Sequence, residues 1–503
     1  MGTIVNYDDN AFAIYISDEN KPNIENAEQM SEYIRSIVSQ YRELNVTDFA
    51  MCVCGRLAWY PSSVVENMLD MYHRKKQNGN DVDYTNTWLS GYHDIFERYG
   101  LDHFNIWIDE CRRSNIASWI SIRVNDVHDT LLENSVLSPD FFFDNMNLTR
   151  GGHKSVGKEY FDGAFDFSNP QIYERTLSMI KEACERYDSD GIELDLQRES
   201  YCFAPGRESE GREIMTRFIS AVRSFAKNKR LAIRIPAGIE TCFDLGFDVC
   251  RWAREGLIDR IVPTSRWSTT DTDLPIAMWR SALSPYDVEI VGGVEILMRE
   301  NNSQKYFAQT VETALAAVHN IYSAGCDKCY LFNFMHKPRN TRGDDLYADT
   351  EEAGRAVLGV NYYDFLRMAG DPKLVSESYR RHLLSFRDAL PFWQRAVYQV
   401  PCKISTEYYS PFRIRTGDVG GSAYLAIGVD GDGAEALDAD IFVNTKRVKY
   451  LSRAEKKTRY TENALYIYEV PSDAVRDVNT IEIRAERAEF KLLHIEMRVN
   501  GRV

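Results

Sequence analysis

From residue 11 to about residue 340 the chain alternates short β-type runs with longer stretches in which apolar residues recur at helical spacing. The β-type runs fall at residues 12–17, 48–54, 117–124, 191–196, 231–236, 258–263, 289–295 and 328–333. Helical patterns include residues 23–44, 102–114, 170–187, 210–227, 243–255, 276–283 and 304–324. In the last of these Phe307, Val311, Ala314, Leu315 and Val318 share a helical face, and Gly325 ends the run. Eight strand–helix units in series predict an α/β fold, a (β/α)8 TIM barrel over residues 1–345. Residues 346–396 read as a helical extension, clearest at 376–389. After Pro401 the period changes to alternation at 423–429, 440–443, 465–470 and 480–484, with Gly-rich turns at 417–421 and 430–433. That pattern predicts an antiparallel, sandwich-like β domain over 397–503.

Composition narrows the partners. The 503 residues carry 60 Lys+Arg against 75 Asp+Glu, a formal charge of −15, which argues against nucleic acid. No run approaches the roughly 18 apolar residues of a membrane span. The N-terminus passes from MGTIVNYDDN into the strand-like AFAIYIS without the pattern of a signal peptide. Ten cysteines sit in apolar runs such as Met51-Cys52-Val53-Cys54, as buried thiols in a reducing compartment do. A cytoplasmic protein is expected, or a secreted one whose leader has been removed. Cys326-x-x-Cys329 and Cys52-x-Cys54 lie at or inside expected strands, so neither metal nor cofactor is expected.

A TIM barrel places its chemistry at the C-terminal ends of its strands. Read there, the sequence offers Asp18 after the first strand and Arg123, Asn125, Asp126 and His128 after the third. Glu193, Asp195, Arg198 and Glu199 belong to the fourth, Arg234 to the fifth, Arg266-Trp267 to the sixth, Glu295 to the seventh, and Asn333 and His336 to the eighth. Carboxylates, arginines and aromatics without a phosphate-cradling glycine loop or a dinucleotide fingerprint point to a polyhydroxylated substrate and to glycoside hydrolysis. Each charge taken singly also reads as half of a structural ion pair, Glu193 and Asp195 with Arg234 or Arg123 above all. Two catalytic arrangements stay open. One pairs Asp195 or Glu199 as acid/base with Glu295 as nucleophile, giving retention; the other uses Asp126 to orient His128, which activates a water and gives inversion.

The runs WISIRVNDVH at 119–128, FDFSNP at 165–170 and YDSDGIELD at 187–195 resemble a broad group of barrel glycoside hydrolases, and within it the exo-sialidases of glycoside hydrolase family 156. The resemblance covers about residues 10–340. It implies that Asp126 and His128 form the water-activating pair, that Arg123 and Arg198 hold the carboxylate of a sialic acid, that Asn333 contacts substrate, and that Asp18 supplies an acid at the first strand. The implied partner is a sialic-acid-containing glycan, and a homodimer is a possible assembly. Concentrated arginines also suit an anionic ligand in a chain of net charge −15. No general acid is placed. A retaining glycosidase for a neutral sugar and a catalytically silent carbohydrate-binding barrel stand as the alternatives.

Overall fold

In the computed structural model eight parallel strands close a barrel: β1 (Thr3–Tyr7), β2 (Val46–Cys54), β3 (Ala117–Arg123), β4 (Gly191–Asp195), β5 (Arg230–Pro236), β6 (Arg260–Thr264), β7 (Glu289–Glu295) and β8 (Lys328–Phe332). Around the ring they run β1-β8-β7-β6-β5-β4-β3-β2, so sequential strands are neighbours throughout. The structure describes residues 1–8, 12–13, 23–77, 85–130, 135, 137, 139–152, 161–266, 269–299, 307–334, 362–385, 399–417, 419–430, 436–454 and 465–501.

Period-two alternation sorts the inward side chains into layers. Ile4, Ala50, Trp119, Ala232, Val262, Val291 and Tyr330 form a packed apolar core inside the barrel. Two residues further along the strands come Ser121 and Glu193, and two further again Arg123 and Asp195, next to Arg234. Outward strand residues such as Phe49, Ile120, Ile192 and Ile233 bury themselves against the helices. Those helices include α1 (Ala27–Ser39), α2 (His103–Ser114), α3 (Pro170–Arg186), α4 (Glu208–Phe225) and α5 (Val311–Ser323). Local sequence starts them: Asn26, Asp102 and Asn169 accept backbone N–H groups at the first turns of α1, α2 and α3, and Thr310 and Thr313 cap α5 reciprocally.

Two expectations are corrected. The first strand is not at 12–17 but at Thr3–Tyr7; Phe12 and Ala13 lie in a helical turn, and Phe12 packs on the Tyr33, His103 and Trp107 rings outside the sheet. All five residues of β1 are buried, including the polar Asn6, which shares the inward face with Ile4, because an inward barrel face takes polar side chains that an apolar-run reading passes over. Asp18 lies outside the described residues, and the acid that ends β1 is Asp8. The second correction falls at 376–389, read as a helix. There Arg380–Leu383 is a strand, β9, paired antiparallel with residues 496–499. The pairing is long-range, and the buried Glu496 receives two hydrogen bonds from Arg381, at 2.8 and 2.7 Å.

The C-terminal part holds two antiparallel sheets. Besides β9, its strands are β10 (Cys402–Ile404), β11 (Ser410–Arg415), β12 (Ala423–Val429), β13 (Ala439–Val443), β14 (Lys446–Arg447), β15 (Lys449–Ala454), β16 (Leu465–Val470), β17 (Val478–Ala485) and β18 (Phe490–Val499). One sheet runs β9-β18-β12-β16-β15 with β10 also on β18, and the other β11-β17-β13-β14. Ile414, Leu425, Ile427, Val443, Ile481 and Ile495 share their core. Asp273, after β6, takes Arg413 Nε at 2.6 Å and Arg415 Nε at 2.9 Å, fastening this part to the barrel. Among the described residues no helix is long and apolar enough to cross a membrane.

Candidate active site

The mouth of the barrel is organised around the exit of β3. Arg123, its last residue, points inward and is buried; its Nη2 donates to Asp8 Oδ2 at 2.8 Å, and its Nη1 lies 3.6 Å from Asp126 Oδ2. The guanidinium stands 5.1 Å from the centre of the Trp59 ring, so Trp59 packs beneath it.

The loop that follows is pinned from several sides. Asn125, buried, donates to the carbonyls of Phe165 and Tyr201, both at 3.0 Å, and accepts from Phe165 N at 3.0 Å. Arg56 Nε donates to the Asp126 carbonyl at 2.5 Å and its Nη2 to Gly163 O at 2.7 Å, with the guanidinium 3.9 Å over the Phe142 ring. At Gly55 an added Cβ would come within 2.8 Å of Asp126 Oδ2 and 3.3 Å of its Cβ. Only glycine leaves room for that carboxylate.

Asp126 Oδ1 accepts from His128 N at 3.0 Å and pairs with His128 Nδ1. Burial pushes the Asp126 carboxyl up, but His128, Arg123 and Arg198 outweigh it and hold the group well below the usual carboxylate range. On the other side of the ring, Arg198 Nη2 donates to His128 Nε2. A carboxylate at Nδ1 and a guanidinium at Nε2 define a neutral imidazole with its proton on Nδ1 and its lone pair on Nε2. Burial pushes the His128 pKa down, Asp126 opposes that, and Arg198 adds to the lowering. The side chain keeps 25% of its surface exposed, so it faces the mouth rather than the core.

The fourth and fifth strands carry carboxylates already engaged. Both Asp195 oxygens take Arg234 Nη1 at 2.9 Å, and Oδ1 also takes the N–H groups of Gln197 and Arg198 at 2.9 Å each. Asp195 therefore shapes the turn that presents Arg198, and Arg234 itself stacks 3.8 Å over the Phe332 ring. Glu193 Oε1 accepts from Ser121 Oγ and Tyr330 OH, each at 2.7 Å; burial, then the neighbouring Asp195, pushes its pKa up. Glu199 is buried with Oε2 3.9 Å from Arg266 Nε.

Glu295 ends β7 in a different setting. Its Oε1 accepts from Ile296 N at 3.0 Å, and Asn333 Nδ2 lies 3.1 and 3.2 Å from its two oxygens. Burial outweighs these donors and the more distant Arg234 and Arg198, so the carboxyl is pushed up to about 7. Asn333 adopts the left-handed region at φ 63°, which aims its amide at Glu295. With the Glu295 carboxyl pushed up by burial and Asp195 committed to Arg234, the retaining pair of Asp195 and Glu295 is not favoured.

Arg123, Asp126, His128 and Arg198 thus come together, whereas Asn333 is a partner of Glu295. Sequence reasoning missed Asp8, Gly55, Arg56 and the pinning role of Asn125. The period-two spacing of Ile4, Asn6 and Asp8 was the available signal for the first; the others act through backbone contacts that leave no spacing. Trp267, His153 and His336 lie outside the described residues. Among the described residues no group of three His, Cys, Asp or Glu side chains is placed to hold a metal ion. Cys52 and Cys54 are buried thiols within β2, and Cys326 and Cys329 are buried beside and in β8.

No family model matches the chain, and no curated protein does. Among solved structures it is similar to an α-amylase of Anoxybacillus, at 10% identity and a TM-score of 0.41 over 100% of this chain and 98% of that one. It is also similar to an α-L-fucosidase of Paenibacillus thiaminolyticus, at 11% identity and 0.41 over 76% of this chain and 51% of that one. At such distance the likeness says nothing of what the barrel mouth does.

Proposed function

We propose that the protein is a glycoside hydrolase of the inverting kind, an exo-sialidase that releases a terminal sialic acid. The observation that carries this reading is the linked array Arg123–Asp126–His128–Arg198. It joins a neutral imidazole, backed by an ionised carboxylate, to two guanidinium groups at the strand ends where a barrel works. Guanidinium groups match the planar carboxylate that distinguishes a sialoside from a neutral sugar.

The reading carries an order of events with it. The Nε2 lone pair of His128 is occupied by Arg198. A substrate carboxylate draws Arg198 onto itself, which frees Nε2 to take a proton from the attacking water while Asp126 stabilises the imidazolium that forms. Water adds to the anomeric carbon from the side opposite the leaving group, and the configuration inverts. Burial and Arg198 push the His128 pKa down against the opposing Asp126, which favours the unprotonated base.

Proton NMR of a simple aryl α-sialoside tests this by showing which anomer of free sialic acid appears before mutarotation. Initial β-anomer is expected. Initial α-anomer would overturn inversion, and binding without release would make the barrel a carbohydrate-binding one.

A further inference from the structure

The barrel grips the β domain through two segments, the loop after β6 and the middle of α5. Thr272 Oγ1 donates to the Leu383 carbonyl at 2.9 Å, and Thr272 N to Ser385 Oγ at 3.1 Å. Asn320 Nδ2, on α5, donates to the carbonyls of Thr272 at 2.7 Å and Arg415 at 3.1 Å, so one side chain ties helix, loop and β11 together. Two residues back along the same loop Thr270 Oγ1 donates to the Glu295 carbonyl at 2.8 Å, and the loop opens with Arg266, 3.9 Å from Glu199. The segment held by the β domain is therefore also part of the mouth.

Three basic side chains are buried in this joint. His319 comes from α5, while Arg380 and His382 lie on one face of β9, opposite Val499 and Met497 of β18. The rings of His319 and His382 are 6.3 Å apart at their centres. At Gly417, φ 65°, an added Cβ would lie 2.5 Å from His319 Nε2, so the ring is wedged against the turn after β11. Arg380 Nη1 donates to the carbonyls of Val375 at 2.7 Å and Ser376 at 2.5 Å, and its Nε donates to His382 Nε2 at 3.4 Å. A donor aimed at Nε2 requires a lone pair there, so the packing itself calls for a neutral His382.

We propose that this joint is an acid-sensitive latch, which holds the β domain and with it the β6 loop near neutral pH and lets go as its two imidazoles take up protons. The latch is independent of the sialidase reading.

Charging both imidazoles would gather three cations in one buried cluster. Burial, then Arg380, push His319 down to about 3; burial, then His319 and Arg380, push His382 well below its ordinary 6.5 against the opposing Glu496. The other charges on the packed elements have their own partners or face water. Glu496 is shared by Arg381, His494 and Arg498, and Arg415 lies on Asp273 and Asp477. Asp371 caps the helix Pro372–Glu377, Lys373 and Glu377 are exposed, and Glu312 stands two turns before His319 in the first turn of α5. Asp273, which Arg413 and Arg415 hold below the usual carboxylate range against burial, stays ionised at about pH 5. Both imidazoles are depressed in the docked state, so docking keeps its full stability above about 6.5 and loses it as pH falls towards about 3. At about pH 5 each contributes about a 30-fold shift towards the undocked form.

Hydrogen exchange of the full chain, with the intrinsic pH dependence divided out, tests this. Between about pH 7.5 and about pH 5 the protection of residues 269–275 is expected to fall at least about 30-fold, and about 10³-fold when both imidazoles act, while β3 and β4 keep theirs. A smaller fall overturns the latch, and so does an equal fall in β3 and β4, which is unfolding of the whole chain rather than release. In the double variant His319→Gln, His382→Gln the fall is expected to vanish. The same fall in that variant would assign it to other groups and overturn the proposal. Should the variant fold poorly, the wild type answers by slope: the logarithm of protection at 269–275 is expected to change by between one and two per pH unit from about pH 6 to about pH 5. A slope below one overturns the latch.

Discussion

The barrel carries buried charge at both ends, and the two ends treat it differently. At the bottom, Asp48 Oδ1 takes Arg260 Nη2 at 2.7 Å and Trp119 Nε1 at 2.8 Å, while Oδ2 takes Lys328 Nζ and Thr47 Oγ1, each at 2.6 Å. Glu289 is likewise shared by Arg230, Arg260 and Lys328. Burial pushes the Asp48 carboxyl up, but Arg260 and Lys328 prevail and hold it at about 2. At the top, His128 is poised between opposite charges and Glu295 is pushed up to about 7. The same residue types make a closed network below and a titrating one above. Networks of the first kind stabilise or at least specify a fold; groups of the second kind are poised to move protons near neutral pH.

Substitutions should separate the ends. The largest effect is expected from His128→Ala, a fall in kcat of about 10²- to 10⁴-fold with an unchanged melting temperature, read by steady-state kinetics and calorimetry. Near-normal turnover would remove His128 from the mechanism. Asp48→Asn should do the reverse, costing about 1–3 kcal/mol in denaturant unfolding by removing one of the two carboxylates that hold Arg260 and Lys328, with kcat of the folded protein kept.

Stability against pH sharpens the contrast further, because the two carboxyls act with opposite sign. Asp48, held at about 2 against an ordinary 3.8, contributes stability that is present above about 3.8 and lost as pH falls through about 2. Glu295, raised from an ordinary 4.5 to about 7, contributes stability that is present below about 4.5 and lost as pH rises through about 7, by at most about 3 kcal/mol. Glu295→Gln is therefore expected to melt higher than wild type at about pH 8 but not at about pH 4. An equal difference at both would mean that Glu295 does not titrate in this range.

Arg198→Ala should raise KM for a sialoside about 10- to 100-fold, the loss of one or two charge-assisted hydrogen bonds. The smallest expected effect is that of Gly55→Ala, about a 10-fold loss in kcat through displacement of Asp126 with little change in KM. A change confined to KM would place the disturbance elsewhere.

Much of the barrel was legible because each strand is a local apolar run and each helix a local periodicity. The run of arginine, aspartate and histidine at the exit of β3 was legible for the same reason: its members lie within six residues of each other. What failed was non-local. The run at 12–17 is more apolar than Thr3–Tyr7, yet the polar β1 closes the ring, since closure is decided by pairing with β2 and β8. Arg380–Leu383 has helical periodicity, but its partner strand is more than a hundred residues away. The raised pKa of Glu295 comes from burial, which outweighs the opposing hydrogen bond from Asn333, and no spacing announces either.

Gly55 has a bearing on how chains of this kind are to be recognised. Its contact is with Asp126 Oδ2, not with the Oδ1 that pairs with His128, so it never enters a list of reacting groups. A descendant that kept Arg123, Asp126 and His128 but gained a methyl group at position 55 would carry the full signature and a misaligned dyad. Divergence at an unremarkable glycine can thus slow the barrel while leaving its motif intact, and a survey of relatives should read position 55 together with the motif.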